Sequence, residues 1–201
     1  VAGVLSGRVC PSGRLPVSVP VHAGGQPSTY LAPPLGRRSE VSSVDPTALY
    51  PFGHGLSYTS FRWSEVHVGG QVVTGPVECP TDGSLTVALT VANTGDQPGT
   101  EVVQLYLHDP IAQVTRPVIR LIGYARVSLQ PGQARRVAFD VHADLSSFTG
   151  RDGCRVVEPG DLELRLAASS EDVRFRVPVR LTGAERAVGA DRQLTTKVTV
   201  W

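Results

Sequence analysis

The sequence contains no methionine, a single lysine among nineteen basic residues, two tryptophans and three cysteines. Each scarcity excludes something. Cys10, Cys79 and Cys154 are odd in number and far apart, so they form neither a disulfide framework nor a paired metal knuckle, and they are expected to be buried or idle thiols. Nineteen basic residues against eighteen acidic ones leave a net charge of +1, with the arginines spread along the chain; this gives no excess to grip a phosphate backbone or an acidic lipid surface, and nucleic acid is not expected as a partner. The apolar runs are only a few residues long, far short of the roughly 20 needed to cross a bilayer. Residues 1–20 lack the charged start and apolar stretch of a leader, so no membrane partner is expected and the compartment is left open. No metal-ligand spacing and no cofactor motif is found. A translated chain begins with methionine, and Val1 to Leu5 read like the end of an apolar helix, so the chain is expected to be a fragment of something longer.

What is present describes a water-soluble chain of one or two domains, 41% hydrophobic and 18% charged over 201 residues, with ample material for a core. The most informative stretch runs from Tyr50 to Tyr58 and reads Tyr, Pro, Phe, Gly, His, Gly, Leu, Ser, Tyr. Upstream the sequence is rich in Pro, Gly and Ser; downstream, strand-like runs follow one another to residue 181. Rings and glycines this close together suggest a tight, packed connector rather than a flexible linker, which would have no aromatic surface to bury.

From Phe61 onward, side chains alternate with period 2, one set inward and the other in water. Leu85, Val87, Leu89 and Val91 share a face, as do Val103, Leu105 and Leu107; Val137, Phe139 and Val141 follow, then Leu162, Leu164 and Leu166. The clearest run is Val173, Phe175, Val177, Val179 and Leu181, set against Arg174, Arg176 and Arg180. Turn residues such as Asp82–Gly83, Asn93 to Gly95, Pro131–Gly132 and Pro159–Gly160 fall between the runs. About seven strands at this spacing predict an antiparallel sandwich of the immunoglobulin or fibronectin type III kind, and the lack of helical periods between strands argues against parallel pairing. The fold class is mainly β, preceded by the remnant of an α/β domain. Residues 183–201 form a tail in which Leu194, Thr196, Val198 and Val200 alternate, expected to fray rather than pair.

Residues 1–60 hold too little apolar material to offset the entropy of ordering them alone. Val1 to Leu5 as a helix end and Leu15 to Val19 as a strand ending at Pro20 fit the last elements of an α/β layer. The expected organisation is therefore 1–20 as that C-terminal remnant, 21–60 as an interdomain arm and connector, 61–182 as the sandwich domain and 183–201 as the tail.

Two motifs carry a family resemblance: Pro11, Ser12, Gly13, Arg14, Leu15, Pro16, and then Tyr50 to Tyr58. With Asn93 to Gly95, Gly99 to Tyr106, Arg116–Pro117, Leu121 to Tyr124, Leu129 to Gly132 and Val157 to Asp161, they resemble the C-terminal part of glycoside hydrolase family 3 enzymes, over about residues 1–181. Cys10 stands where the family commonly has Asn, which touches only a local turn hydrogen bond. The resemblance implies a β-glucosidase or β-xylosidase type enzyme acting on β-linked oligosaccharides or glycosides, ending in a fibronectin type III-like domain with a domain-packing role. It also implies that the nucleophilic Asp and the acid/base Glu lie upstream of Pro11, so neither role transfers to a residue here. Retaining hydrolysis needs two carboxyls about 5 Å apart, and no such pair is expected in this chain: no catalytic residue is assigned, and no substrate-binding residue is identified.

Individual residues invite other readings. Asp45, Glu101, Asp109 and Glu158 fit solvated turn or strand-edge positions better than catalytic ones. His54 fits a packed connector better than a ligand or base. Tyr30, Arg37 and Arg38, on the long irregular arm, could reach a sugar, although strapping the domains together explains the arm as well. Phe139, Phe148 and Phe175 read as core, and Trp63 is not placed by the pattern. The alternative to a hydrolase fragment is a free-standing β-sandwich module that binds carbohydrate or protein, with Trp63 or Tyr124 as its contact.

Overall fold

The computed structural model describes residues 1–26 and 28–201. A four-residue helix, Ala2–Leu5, is followed by an irregular arm in which only β1 (Val19–Pro20) and β2 (Ala48–Tyr50) pair. The sandwich begins at β3 (Phe61–Val68), β4 (Gln71–Val72), β5 (Val77–Pro80), β6 (Ser84–Asn93) and β7 (Gly99–His108). It continues through β8 (Arg120–Leu129), β9 (Ala134–His142), β10 (Phe148–Thr149), β11 (Arg155–Val157), β12 (Gly160–Ala167), β13 (Val173–Thr182), β14 (Arg186–Ala187) and β15 (Lys197–Val200). Two five-stranded sheets, ordered β5-β13-β12-β7-β8 and β15-β9-β6-β3-β4, face each other, and β10-β11-β14 form a small third sheet.

The inward residues are those the alternation selects. Val87, Leu89 and Val91 of β6 meet Val103 and Leu105 of β7, Val137 and Phe139 of β9 and Leu166 of β12, all without solvent contact. Hydrophobic burial across this interface is the main force closing the sandwich. Trp63 pairs with Val91 in the register of β3 on β6 and packs against the same core. Phe139 and Phe148 are buried and Phe175 is packed on the core's edge.

Four details depart from the sequence reading. The strand expected at Leu15 to Val19 does not form: only Val19–Pro20 is a strand, and it pairs with Ala48 and Tyr50 of β2. β5 pairs with β13 in parallel, Val77 to Val179 through Pro80 to Thr182, so the sandwich is not antiparallel throughout; an edge strand returning from the other sheet needs no helical crossover. The tail does not fray: β15 pairs with β9 from Lys197–Asp140 to Val200–Val137, and Trp201 and Arg136 exchange backbone hydrogen bonds at 2.8 and 3.0 Å. Finally, β7 is buried on both faces, because Val102, Gln104 and Tyr106 are covered as fully as their inward neighbours. A second small core of Tyr106, Ile119 and Ala167, packed against Tyr30 and Phe52, covers Tyr106, and Gly53 and Ala168 close over Gln104.

Candidate functional site

The two motifs that stand out in the sequence meet in space. Leu15 N–H donates to the His54 carbonyl at 2.9 Å and Gly53 N–H to the Leu15 carbonyl at 2.8 Å, so residues 11–16 and 50–58 lie side by side. The fit is tight: a Cβ on Gly55 would stand 2.3 Å from the Gly13 carbonyl oxygen, which only glycine avoids. Cys10 Sγ reaches Ser57 Oγ at 3.2 Å, joining the same two segments.

The paired motifs are held on β7 by buried polar groups. Gln104 Nε2 donates to the carbonyls of Gly53 (3.0 Å) and Ala168 (2.6 Å), and its Oε1 accepts from Tyr106 Oη at 2.6 Å. Ser170 N–H donates to the Phe52 carbonyl at 2.9 Å. The Phe52 ring stacks on Tyr30 with centroids 4.1 Å apart, and Tyr30 meets Tyr106 edge-on at 6.1 Å. Burial pushes the Tyr106 phenol well above its ordinary value, with Tyr30 adding to it, so it stays a neutral donor. Arg14 Nη2 bonds Glu101 Oε1 at 2.7 Å, and both side chains are largely buried.

The carboxylates expected in solvent divide. Asp45 is an exposed turn residue whose Oδ1 accepts from Thr47 N–H at 2.9 Å. Glu101 is not solvated: it is 7% exposed and accepts from Arg14 and from Val102 N–H. Asp109 is drawn in against Arg116, and burial, outweighing that guanidinium, raises its carboxyl. Glu158 is near enough to repel Asp109 and is held by Gln113 Nε2 at 2.8 Å. These contacts engage each group in structure. His54 stacks on Tyr50 with centroids 5.2 Å apart.

Tyr30, Arg37 and Arg38, singled out on the arm, do come together as the lining of one groove of about 290 Å³, with Ser170 and Glu171 from the sandwich opposite. Within it Tyr30 is committed to Phe52, and Arg38 faces Asp45 at 3.3 Å in solvent. Tyr124 is 58% exposed, whereas Trp63 spends its ring on the core. Among the described residues no three His, Cys, Asp or Glu side chains cluster as metal ligands, and no helix is long and apolar enough to cross a membrane. Sequence reasoning missed Gln104; a glutamine between valine and leucine in a strand buried on its other face was the available signal.

Residues 101–170 match the fibronectin type III-like domain family. A β-xylosidase of Formosa agariphila is 37% identical over 174 residues, spanning 85% of this chain and 23% of that protein. The β-glucosidase BoGH3A of Bacteroides ovatus is 35% identical over 195 residues, spanning 88% and 25%. The crystal structure of a β-glucosidase from Listeria innocua in complex with glucose superposes with a TM-score of 0.77 at 34% identity, covering 89% of this chain and 25% of that one. The chain thus spans about a quarter of the length of these relatives. Motifs, sandwich and relatives agree, and the chain corresponds to the C-terminal region of glycoside hydrolase family 3 enzymes, with its fibronectin type III-like domain.

Proposed function

We propose that these residues form the structural C-terminal portion of an enzyme that hydrolyses O-glycosyl bonds of β-glucosides or β-xylosides, and that the bond-breaking carboxyls lie in parts of the parent protein outside them. The sandwich and its clasped connector then act as a rigid buttress for an α/β domain. The observation that carries this reading is where apolar surface is left uncovered. Val1, Leu5, Val9, Val17, Leu56 and Tyr58 are all about half exposed or more, whereas the sandwich strands themselves leave only Val72 and Tyr124 open to this degree. Exposed apolar side chains gathered in the segments that flank Arg14 and Gly53, which are tied to Glu101 and Gln104, support an α/β domain of the same protein as their cover.

The test compares the 201-residue chain with the longer parent on aryl β-glucosides and β-xylosides. The parent is expected to hydrolyse one of them and the chain alone neither; turnover by the isolated chain above blank overturns the assignment. Retention of the chain on insoluble cellulose or xylan, abolished by Tyr124→Ala, would instead establish a carbohydrate-binding module.

A further inference from the structure

The sandwich carries one concentration of charge that its own residues do not neutralise. The segment between β7 and β8, with Ser147, Phe148 and Thr149 just after the short 3-10 turn Ala143–Ser146 and Arg155 of β11, lines an open cavity of about 300 Å³. Arg116, Arg120 and Arg155 all line it, together with Thr115, Thr149 and Phe148. Asp109, also in the lining, compensates one of the three: it bonds Arg116, whose guanidinium lies 4.7 Å over the Phe148 ring. Glu158, whose charge acts on Asp109, is occupied by Gln113.

Arg120 and Arg155 have no carboxylate partner among the described residues. The N–H groups they do engage go to neutral acceptors. Arg120 Nη2 donates to the Leu145 carbonyl, and Arg155 donates from Nε to Ser147 Oγ at 3.0 Å and from Nη2 to the Ser147 carbonyl at 2.9 Å. Arg120 Nε is buried and makes no hydrogen bond at all, and Arg192, which stands close enough to repel Arg155, has a buried, unbonded Nε as well. Burial first, then the neighbouring guanidiniums, pull both Arg120 and Arg155 below the ordinary arginine value. Cations drawn even partly out of water, as both of these are, are ordinarily paired, since an uncompensated one gives up part of its hydration without return. Guanidinium forks match the oxygens of carboxylate and phosphate, and charge-assisted hydrogen bonds of this kind are the strong ones.

We propose that this cavity is an oxyanion site for a monosaccharide-sized acid, a sugar acid or a sugar phosphate, whose anionic group is held by Arg120 and Arg155 and whose hydroxyls meet Thr115 and Thr149. The volume lies at the lower end of the range for small-molecule sites and exceeds what a bare inorganic ion fills. Hydroxyl side chains beside an aromatic ring supply the mixed surface that a sugar presents in reverse. The inference is independent of the buttress role, because the cavity is built by the sandwich domain alone.

Calorimetric titration of the 201-residue chain with glucuronate, glucose 6-phosphate, glucose and inorganic phosphate tests it. Glucuronate or glucose 6-phosphate is expected to bind, with affinity falling as salt is raised, while glucose does not. Arg155→Gln should weaken binding by about tenfold or more, and Arg155→Lys by less. Arg155 is only partly buried; circular dichroism confirms that each variant is folded, and the wild-type titration stands even if one is not. No heat from either sugar anion, or binding unchanged in a folded Arg155→Gln, overturns the site. Inorganic phosphate binding as tightly as glucose 6-phosphate overturns its assignment to sugar anions.

Discussion

The side-chain amide of Gln104 lies directly beneath Gly53 and donates to its carbonyl at 3.0 Å. The two are so close that a Cβ on Gly53 would fall 2.0 Å from Gln104 Oε1, and Gly53 has φ of 80°, a left-handed conformation that disfavours a side chain. Gln104 cannot retreat, because it is 3% exposed and tied to Ala168 and Tyr106 as well. Gly53→Ala should therefore cost about 3 kcal/mol or more, summing backbone strain with lost buried hydrogen bonds. Urea unfolding measures it. Adding Gln104→Ala should recover part of the loss, since the atom that clashes is then gone; a double variant showing simple additivity would contradict the close approach.

Arg14 and Glu101 form the other tie between the arm and β7, at 2.7 Å and largely out of solvent. Removing one member of a buried pair strands the other charge, so Glu101→Ala is expected to cost about 3–5 kcal/mol. Arg14→Ala in the same background should cost much less than it does alone. A thermodynamic cycle from urea melts of the four proteins gives the coupling, expected at about 1–3 kcal/mol. A coupling near zero would mean that the pair is solvated and adds nothing to holding the arm on the sandwich.

Much of the fold is legible because Val87, Leu89, Val91, Leu164, Leu166, Val177 and Val179 keep a strict period of 2, and each is buried against the opposite sheet. Periodicity reports one buried face at a time, however. In β7 the residues between the core positions are covered from far upstream, Tyr106 by Phe52 and Tyr30 and Gln104 by Gly53, and nothing local announces a second cover. Glu101 reads as a solvated acid for the same reason: its cation is Arg14, in another motif altogether. The boundary motif itself was legible because rings and glycines crowded into nine residues are costly unless packed. The convergence of Arg116, Arg120 and Arg155 was not, since it needs β8, the turn after β9 and β11 to be brought together first.

The tail tests how far β15 belongs to the sandwich. Val198 and Val200 pack on the core's margin, Thr196 Oγ1 donates to the Ile122 carbonyl at 2.6 Å, and Trp201 lies beside Arg136 with ring and guanidinium 6.0 Å apart. Deleting residues 195–201 would remove the two half-buried valines and uncover the outer edge of β9, a loss of about 2 kcal/mol, and leave a bare strand edge prone to pair with other chains. Thermal melts should shift downward and light scattering should rise with protein concentration. A truncated chain with an unchanged melt and no scattering would mean that the pairing with β9 adds nothing.

Two buried carboxyls should shape the pH profile of stability in opposite ways. Burial alone would raise Asp144, which is 6% exposed, but hydrogen bonds from Arg186 and from Gln193 N–H, with the charges of His142 and Arg186, outweigh it and hold the carboxyl below its ordinary value of 3.8. The folded protein thus binds that proton less readily than the unfolded chain does. Its contribution is complete above the ordinary aspartate value and fades as pH falls through the lower folded one. Asp144→Asn should accordingly lose about 2 kcal/mol at neutral pH, and the gap from wild type should narrow in strong acid. Asp109 is raised, chiefly by burial, so the folded protein takes up this proton first, and stability from this group increases as pH falls through its raised value. The gap between wild type and Asp109→Asn should therefore move in wild type's favour on mild acidification, where the Asp144 gap is still flat. Chemical melts of the three proteins from neutral pH to strong acid separate the two, and profiles that ran parallel would show that Asp109 and Asp144 titrate alike.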